Sequence, residues 1–378
     1  MRILMLGDYS NLHACLAKEL RRRGHEVTLV SDRGGYMKTE ADIELRRSPG
    51  IIGSLRYLYR IMALLPSWTG YDAVQLINPV FLSLKPNKLK MIFDILKKNN
   101  RSVFLTLCGN DHFFVKDCVD TDLFRFSEFR IGKEKAPLVK CDPRRESGWL
   151  IHDHAVYTKH LYDNLDGAMS VLPEYDMSAR LHMNPEKLLF TNLPIEVENL
   201  EYTEMNVEGP VRILIGIRAN MEIQKGTARM LDICRSLEKE MKGQIEVKAV
   251  RNLSLTEYLD ELRKSHIVVD QLYSYSPATN ALQTMALGRI SASGGQHEYY
   301  EYLNESSHPI VCLSPLEDEN AIKDRIRDIV LDKEKLKRMG EEGRHLVERH
   351  NDVRNIAILF ETYWKDIITK KDTHGKEP

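Results

Sequence analysis

Arg2-Ile-Leu-Met-Leu-Gly7, near the start of the chain, is a short apolar run that ends at a glycine, and this pattern predicts a buried β-strand. Apolar residues at helical spacing follow, with Asn11 as the candidate N-cap and Gly24 as the residue that stops the helix. The next run, Glu26-Val-Thr-Leu-Val-Ser31, is rich in β-branched residues and predicts a second strand. Together the three segments predict a βαβ unit, the repeating element of parallel sheets.

The alternation of strand and helix continues along the first half of the chain. Strands are predicted at residues 73–77, 102–107 and 168–172, and helices at 54–65 and 87–99. Because this order places helices on both faces of a parallel sheet, the first half predicts a doubly wound α/β domain.

The pattern breaks between residues 194 and 210, in a stretch rich in Glu and Asn with little apolar material, and a second series then begins. The capping box Ser254-Leu-Thr-Glu257 marks one of its helix starts. We therefore expect two Rossmann-like domains, 1–195 and 210–351, followed by a helix over 352–370. The second series predicts strands at 211–216, 245–250, 266–272 and 290–292, and helices at 227–241, 279–287, 319–330, 333–349 and 352–368.

Composition and charge narrow the class of protein. The chain has 378 residues, of which 43% are hydrophobic and 29% charged, so it can bury cores of ordinary size. Its 54 Lys and Arg against 55 Asp and Glu give a net charge of -1, which argues against a nucleic-acid partner. Six cysteines without a C-x-x-C pair, the early Asp8 and the lack of an apolar run of about 20 residues predict a cytoplasmic protein without a signal peptide.

The strand-to-helix turns are the candidate sites, because ligands of doubly wound sheets bind beyond the carboxyl ends of the strands. With two such domains, we expect the site in the cleft between them. The first turn, from Gly7 to His13, lacks G-x-G-x-x-G and therefore the dinucleotide fingerprint. Ser10, Asn11 and the first helical amides can meet a polar ligand there. Simple helix capping is the alternative.

A second turn, Cys108-Gly-Asn-Asp-His112, follows the strand at 102–107. Asp111 beside His112 presents a carboxylate and an imidazole at the end of a strand, a pairing suited to acid–base catalysis or to binding hydroxyl groups. An Asn110-Asp111 turn without catalytic consequence is the alternative.

The turn Gly216-Ile-Arg-Ala-Asn-Met-Glu-Ile-Gln-Lys-Gly226 joins a strand to a helix in the second half. Arg218 and Lys225 bracket it, and Gly226 lets the backbone approach a ligand closely. Two cations together with helix-end amides predict a receptacle for a diphosphate that needs no metal ion. Ordinary surface cations are the alternative.

A further anion site is predicted in the segment from Asp270 to Gly288. Ser276, Thr279 and the free amides of the helix that starts near Pro277–Thr279 form it. Gln283 lies one turn further, where it can bond to a sugar hydroxyl. A capped helix without a ligand is the alternative.

Two other motifs have a competing structural interpretation. Asp120-Thr-Asp122 matches the D-x-D through which some sugar-nucleotide enzymes hold Mn²⁺ or Mg²⁺, but it follows irregular sequence and is interpreted as a solvated turn. The stretch from Arg46 to Trp68 mixes arginines with apolar residues, which is typical of an amphipathic helix at a membrane surface. It is equally typical of a surface helix packed on the first sheet, and we favour that interpretation.

The motifs together resemble those of the GT-B glycosyltransferases, in particular the retaining group called glycosyltransferase family four, over nearly the whole chain. Arg23-Gly-His-Glu-Val-Thr28 looks like part of the family's first βαβ unit, and His13 lies where a histidine often occurs. A second match is to the family's Gly-Arg…Lys-Gly phosphate motif, which corresponds here to Gly216, Arg218, Lys225 and Gly226. A third is to its Glu-Ala-Met-Ala-x-Gly segment and the glycine loop after it, which correspond to Gln283-Thr-Met-Ala-Leu-Gly288 and Gly294-Gly295.

The sequence departs from the family at two glutamates, one of which touches the donor sugar and the other the ribose hydroxyls. Aligned by Met285 and Gly288, the ribose position holds Gln283, and the sugar position falls near Tyr275. Gln283 can still bond to a ribose, although a neutral amide binds less strongly than a carboxylate.

The resemblance implies a metal-independent, retaining transferase without a cofactor, which moves a sugar from a nucleotide-diphosphate-sugar donor to a glycan or lipid-linked acceptor. The second domain would bind the donor and the first the acceptor, and the final helix would cross back to the first domain. A non-catalytic nucleotide-sugar or glycan-binding protein, and a sugar-nucleotide epimerase or hydrolase of the same fold, are the alternatives. The expected catalytic residues are Asp111, His112, Arg218 and Lys225; the other donor-site residues are Gly216, Gly226, Asp270, Tyr275, Ser276, Thr279, Asn280 and Gln283; the acceptor-side residues are Ser10, Asn11, His13 and Asn110.

Overall fold

The computed structural model describes residues 1–32, 41–218 and 221–374. Its strands are β1 (Arg2–Leu6), β2 (Glu26–Ser31), β3 (Ile43–Glu44), β4 (Ala73–Leu76), β5 (Ser102–Leu107), β6 (Arg130–Ile131), β7 (Glu134–Lys135), β8 (Gly167–Ser170), β9 (Leu188–Phe190), β10 (Val211–Ile217), β11 (Ile245–Arg251), β12 (Ile267–Val269), β13 (Ile290–Ser293) and β14 (Val311–Cys312). Its α-helices are α1 (Leu12–Arg22), α2 (Gly50–Leu64), α3 (Pro86–Asn99), α4 (His112–Asp120), α5 (Pro137–Cys141), α6 (Arg144–Ser147), α7 (His152–Asn164), α8 (Pro173–His182), α9 (Glu222–Lys225), α10 (Thr227–Glu240), α11 (Leu255–Lys264), α12 (Thr279–Ala286), α13 (His297–Leu303), α14 (Glu319–Leu331), α15 (Lys333–His350) and α16 (Val353–His374).

The chain divides into two compact units. The first comprises Met1–Asp117, Ser147–Pro194 and the chain from Val353 onward, and the second comprises Cys118–Glu146 and Ile195–Asp352. The segment 118–146, predicted to belong to the first domain, packs within the second unit. It does so through contacts between residues far apart in the sequence, which the local pattern does not reveal.

The first unit contains a seven-stranded parallel sheet with the order β3-β2-β1-β4-β5-β8-β9. The predicted βαβ unit is confirmed: β1 pairs with β2 in parallel, from Arg2 opposite Glu26 to Leu6 opposite Val30. Strands β2 and β3 extend the sheet on one side of β1, and β4 extends it on the other. The topological switch point, where such sheets bind ligands, therefore lies between β1 and β4.

Helix α16 belongs to the core of this first unit. Ile356, Phe360, Trp364 and Ile368 recur every fourth residue and are buried together with residues of β1, β2 and α1. The indole nitrogen of Trp364 donates to Gln75 Oε1 of β4 at 3.0 Å. The helix predicted over 352–368 thus begins one residue later, at Val353, and continues to His374.

The second unit contains a five-stranded parallel sheet with the order β11-β10-β12-β13-β14. Its switch point lies between β10 and β12, because the chain leaves β10 first for β11 on one side and later for β12 on the other. The predicted capping box opens α11: Ser254 Oγ accepts from the Glu257 amide at 3.3 Å, and Glu257 Oε2 accepts from the Ser254 amide at 2.8 Å. The α/β fold class with two parallel sheets is therefore confirmed.

One strand of this sheet is much shorter than predicted. The apolar pattern predicts a strand over 266–272, but β12 ends at Val269. Leu272 leaves the sheet because its amide donates to the carbonyl of Lys225 at 2.9 Å, which draws the chain across to the turn after β10. Within the described ranges, no helix is long and apolar enough to cross a membrane.

Candidate functional site

A cluster of polar side chains lies at the switch point of the second sheet. Asp270 directly follows β12, and Lys225 ends the short helix after β10, so both stand at the carboxyl edge of the sheet. Lys225 Nζ lies 2.7 Å from Asp270 Oδ1, and Asn280 Nδ2 of α12 donates to the same oxygen at 3.1 Å. The structure therefore joins three of the predicted donor-site residues through one carboxylate oxygen.

This cluster has unused hydrogen-bonding capacity. The Asp270 side chain is only 2% exposed, yet its Oδ2 has no hydrogen-bond partner among the described residues, and neither has Asn280 Oδ1. A buried acceptor without a donor costs free energy that a native structure avoids. Both atoms are therefore suited to accept from the hydroxyl groups of a ligand, beside an ammonium that attracts anions.

The turn after β10 leads into the N-terminus of α10. Arg218 is exposed and makes no ion pair within the described part of the chain, and the two residues that follow it lie outside that part. Gly226 is the N-cap of α10, with φ of 71° and no side-chain cap, and the Thr227 hydroxyl behind it is buried without a partner in the described ranges. The first-turn amides, Thr227 and Lys225 together form a surface with the chemistry of an anion site.

The two glycines of this turn have packing reasons. A Cβ on Gly226 would lie 2.9 Å from Leu272 Cβ and 3.0 Å from the Tyr273 ring, in a conformation that already favours glycine. Gly216 lies inside β10, which ends at Ile217, and a Cβ there would come within 2.6 Å of the Tyr258 hydroxyl. Gly216 therefore makes room for α11, and its predicted role toward a ligand has no support in this geometry.

The loop after β12 leads into a second open helix end. Helix α12 begins at Thr279, with Ala278 as N-cap and no side-chain cap, so its first-turn amides remain available to an anion. Pro277 precedes the cap, so the helix begins at the last residue of the predicted range Pro277–Thr279. Ser276 is fully buried, and its main-chain carbonyl accepts from Ser274 Oγ at 2.7 Å.

Tyr275, where the sequence comparison places a family glutamate, is covered by the segment 118–146. It is 3% exposed, its hydroxyl accepts from the Arg125 amide at 2.6 Å, and its ring stacks on Phe126 with centroids 4.7 Å apart. The Arg125 guanidinium continues to Glu298, at 2.9 and 3.0 Å from its two oxygens. Tyr275 thus acts as a packing residue. The carboxylate near this loop is that of Glu298, which pairs with Arg125.

The same segment also reaches the turn after β10, because Gln224 of α9 donates to the Glu128 carboxylate. Residues 118–146 therefore contact the loops that follow β10, β12 and β13, along the carboxyl edge of the second sheet. Sequence reasoning missed this contribution, since Arg125, Phe126 and Glu128 lie in irregular sequence with no motif. Gln283 lies on α12 one turn after Thr279 and is half-buried.

At the edge of the first sheet, Asp111 has a structural role. Its Oδ1 accepts from the Phe114 amide at 2.9 Å and so caps α4, while its Oδ2 accepts from the Tyr162 hydroxyl at 2.6 Å. Burial raises the pKa of this carboxyl group above its usual value. Because both oxygens are occupied inside the first unit, the capping alternative describes Asp111 better than an acid–base role.

His112, by contrast, keeps one ring nitrogen available. Its Nδ1 lies 2.9 Å from the carbonyl oxygen of Trp149, so Nδ1 carries the proton and donates, which leaves Nε2 as an acceptor. Within the described ranges, Nε2 makes no hydrogen bond. The residue is 8% exposed, and its Nε2 can accept from one hydroxyl group at this edge.

His13, expected on the acceptor side, is buried inside the first unit. Its Nδ1 donates to the Gly7 carbonyl at 2.7 Å, and its Nε2 accepts from the Thr106 hydroxyl at 3.2 Å. The Thr106 oxygen in turn accepts from Gln75 Nε2 at 2.9 Å. Since Trp364 donates to Gln75, the network runs from α16 to the first turn. Burial of the imidazole lowers the pKa of His13 to about 3, so it is neutral and cannot contact an acceptor.

The first turn differs from its predicted capping. Asn11 has φ of 68° and no side-chain cap bond, whereas Asp8 Oδ1 accepts from the amide of His13 at 2.8 Å and caps α1. Ser10 is exposed beside it, with φ of 51°. Asn110 contributes its carbonyl oxygen to a bond from Asn78 Nδ2 at 3.3 Å.

Sequence reasoning also missed Asn78, which follows β4 and connects two strand ends. Its Nδ2 donates to the Cys108 carbonyl at 2.7 Å and its Oδ1 accepts from the Val80 amide at 2.8 Å. The signal was available, because a polar residue directly after an apolar strand stands at the ligand-binding edge. Asp120 and Asp122 are exposed, and the described part of the chain contains no group of three or more His, Cys, Asp or Glu that could hold a metal ion.

Comparisons with known proteins show the fold. No protein-family model matches the chain, and no curated protein matches it. Among solved structures, a sucrose-phosphate synthase from Thermosynechococcus elongatus superposes with a TM-score of 0.64 at 12% identity, covering 98% of this chain and 100% of that one. WaaG, a glycosyltransferase involved in lipopolysaccharide biosynthesis, gives 0.60 at 11% identity over 97% and 99% of the two chains.

Anabaena HepE, solved in complex with UDP and glucose, gives a TM-score of 0.59 at 10% identity and covers 96% of this chain and 98% of that one. The similarity extends over both units in all three cases, and identities this low support a statement about architecture. The chain therefore has the GT-B fold of these proteins.

Proposed function

We propose that the protein is a glycosyltransferase that moves a sugar from a nucleotide-diphosphate-sugar donor to a glycan or lipid-linked acceptor. The observation that carries the proposal is the Lys225–Asp270–Asn280 cluster, because it combines a cation with unused buried acceptors at the switch point of the second sheet. The glycosyltransferases of the same fold support it, including one solved with UDP and glucose.

The donor's diphosphate binds between Arg218, Lys225 and the first-turn amides of α10 and α12. These groups carry positive charge or partial positive charge and stand at one edge of one sheet. When the glycosidic bond to the donor breaks, negative charge grows on the departing diphosphate. Groups already oriented toward it stabilise that charge more in the transition state than in the ground state, which is what accelerates the reaction.

The hydroxyl groups of the donor meet the acceptor atoms of the cluster. Asp270 Oδ2 and Asn280 Oδ1 accept from hydroxyls, and the half-buried Gln283 of α12 bonds to the ribose. On the first unit, His112 Nε2 accepts from a hydroxyl group of the acceptor, with Ser10 and Asn11 on the neighbouring turn.

The finer parts of the proposal rest on the sequence resemblance. They are membership of the retaining glycosyltransferase family four, retention of the anomeric configuration, and catalysis without a metal ion or another cofactor. The phosphate receptacle supports the last of these, because two cations and two helix ends provide charge that a divalent cation would otherwise provide.

A second candidate is a nucleotide-sugar-binding protein that has lost catalysis. Two observations favour it: Tyr275 packs under Phe126 where a family glutamate would touch the sugar, and Gln283 is neutral where another would bind the ribose. In that case the donor would bind without turnover, while every contact to the diphosphate would remain.

Thermal unfolding in the presence of UDP, GDP, ADP, CMP and their sugar conjugates tests the proposal. A ligand at 100 times its dissociation constant adds about 2.7 kcal/mol to the free energy of unfolding. The stabilising conjugate is then incubated with and without candidate acceptors, and nucleoside diphosphate release is measured. Stabilisation with release that depends on an acceptor identifies the transferase, and stabilisation without any release identifies the binding protein. Release that is the same without an acceptor identifies a hydrolase, and no stabilisation by any nucleotide contradicts both proposals.

A further inference from the structure

The stretch 45–71 has a charge unlike that of the rest of the chain. Its 27 residues contain four arginines and no Asp, Glu, Lys or His, so its formal charge is +4 in a chain whose net charge is -1. Helix α2 occupies the middle of this stretch. The local excess of positive charge is thus concentrated on and around one helix.

Helix α2 has two apolar faces. Gly53, Tyr57 and Ile61 are buried and hold the inner face against the first unit. The outer face holds large apolar side chains that fall within an arc of about 100° at 100° per residue. These outer residues are Ile51, Ile52, Leu55, Tyr59 and Met62, between 42% and 81% exposed.

The sequence left two interpretations of this stretch, a helix at a membrane surface and a surface helix packed on the first sheet, of which the second was favoured. The inner face provides the packing that was favoured, but packing accounts for only one of the two apolar faces. A soluble surface helix ordinarily has one apolar face and one polar face. An exposed stripe of five large apolar residues on one helix is the kind of patch that marks an interaction surface.

The helix is fixed rigidly enough to present this face. The Tyr57 hydroxyl donates to Asp32 Oδ1 at 2.6 Å and accepts from the Ser83 amide at 3.0 Å. Arg47 donates to Ser54 Oγ and to the Ser83 carbonyl, both at 2.8 Å. These bonds anchor both the start and the middle of α2 to neighbouring loops.

Arg56 and Arg60 lie on the helix between the outer and inner apolar faces. Both are exposed, and within the described ranges neither makes an ion pair or a hydrogen bond through its side chain. Arg46, just before the helix, is 70% exposed and pairs with Glu44 at 3.3 Å. Two guanidinium groups that have no partner among the described residues thus border the apolar stripe on one side and can bind anionic groups.

We propose that the outer face of α2 docks on the surface of a bilayer that contains anionic lipids. The apolar stripe would enter the boundary between head groups and acyl chains, and Arg56 and Arg60 would meet lipid phosphates. A single convex helix face has no groove to receive a partner side chain, whereas a bilayer needs only area and charge. The charge of +4 without an acidic residue favours a lipid surface over a second copy of a chain that is itself nearly neutral.

Vesicle sedimentation of the full chain tests the proposal. Vesicles of phosphatidylcholine alone are compared with vesicles that also contain phosphatidylglycerol, at about 30% of the lipid, and both are tested at low and at physiological salt. We expect binding to the anionic vesicles that weakens with salt, and far less binding to the neutral ones. Equal binding to both, or none to either, overturns the proposal.

Variants separate the two contributions. Arg56→Gln with Arg60→Gln should lower the partition coefficient about 30-fold, since each arginine near an anionic surface contributes a factor of about 5.5 and the two factors multiply. Ile52→Ser with Tyr59→Ser should lower it at least about 100-fold, because two apolar side chains lose their burial in lipid. All four side chains are exposed, so thermal unfolding of both variants should match that of the parent.

Matched controls lie in the second unit. Lys239→Gln with Lys242→Gln removes two exposed cations, and Leu331→Ser removes an exposed apolar side chain, and neither should change vesicle binding. Loss of binding in these controls, or retention in the α2 variants, would assign the binding to another surface.

Sedimentation velocity tests whether the outer face of α2 binds a second copy of the chain instead. If the parent protein is a dimer that Ile52→Ser/Tyr59→Ser dissociates, and the parent does not bind vesicles, the lipid proposal is contradicted. The vesicle assay contains no nucleotide, so its outcome is independent of the proposed transferase activity.

Discussion

Replacing Arg218 or Lys225 by Ala perturbs the proposed diphosphate site in two different ways. Arg218 is exposed and unpaired in the described part of the chain, so its loss should leave the fold intact. Lys225 pairs with Asp270, which is 2% exposed, so its loss strands a buried carboxylate. An uncompensated buried charge costs about 3–5 kcal/mol, and because Lys225 itself is 25% exposed we expect about 1–3 kcal/mol of destabilisation.

The effect on binding should be similar for both variants. A charge-assisted hydrogen bond contributes about 1.5–3 kcal/mol, so each variant should bind the nucleoside diphosphate about ten- to a hundredfold more weakly. Turnover should fall further, because charge on the diphosphate increases in the transition state. Lys225→Arg should restore affinity only in part, since a planar guanidinium does not replace a compact ammonium.

Calorimetry combined with thermal unfolding separates affinity from stability. The double variant Lys225→Ala/Asp270→Asn removes the stranded charge, so it should regain stability relative to Lys225→Ala without regaining diphosphate affinity. Arg212→Ala is the matched control, because Arg212 is an exposed arginine at the opposite end of the same strand. The nucleoside without phosphates should bind the Arg218→Ala, Lys225→Ala and Arg212→Ala variants as it binds the parent. Unchanged diphosphate affinity in folded Arg218→Ala and Lys225→Ala proteins would refute the assignment of this site.

Three further predictions concern single side chains. His112→Ala should lower turnover about tenfold or more while calorimetry shows unchanged nucleotide affinity, because its free Nε2 lies in the first unit; equal losses in both would show that it contacts the donor. Gln283→Glu should tighten nucleoside binding several-fold through a charged acceptor for the ribose, and weaker binding in titrations would contradict that contact. Burial lowers the pKa of His13 from 6.5 to about 3. As the pH falls from 6.5 toward 3, this residue therefore binds a proton in the unfolded chain but not in the folded chain. Stability should therefore fall with pH in that window by about 1.4 kcal/mol per unit, and denaturant titrations of His13→Gln should lack this component of the slope.

The fold was predictable wherever burial alone decides the structure. β1, β2 and β5 begin and end at the predicted residues because buried parallel strands are continuous apolar runs with clear polar or glycine ends. The end of β12 was not predictable, since the bond from the Leu272 amide to the Lys225 carbonyl decides it and joins residues 47 positions apart. The placement of residues 118–146 with the second unit depends on equally distant pairs, such as Phe126 with Tyr275.

The site was harder to predict because a polar residue at the end of a strand has two possible uses. It can satisfy the local backbone, as Asp8 and Asp111 do by capping the helices that follow them. It can instead keep a polar atom for a ligand, as His112 does with Nε2 and Asp270 does with Oδ2. Sequence spacing is the same in both cases. It therefore identifies the candidate residues but does not distinguish those that cap a helix from those that bind a ligand.

The structure distinguishes the two groups, because it shows whether the hydrogen-bonding capacity of each residue is already used inside its unit. His13 donates through one nitrogen and accepts through the other in a completed network, and its low pKa follows from that burial. Asp270 has one oxygen that holds Lys225 and Asn280 and another that holds nothing in the described chain. Asp270 Oδ1 therefore orients the Lys225 ammonium, and Oδ2 remains available to a ligand. This explains why an acidic residue lies in a pocket for a diphosphate. A carboxylate there repels phosphate unless its charge is matched, and Lys225 matches it at 2.7 Å.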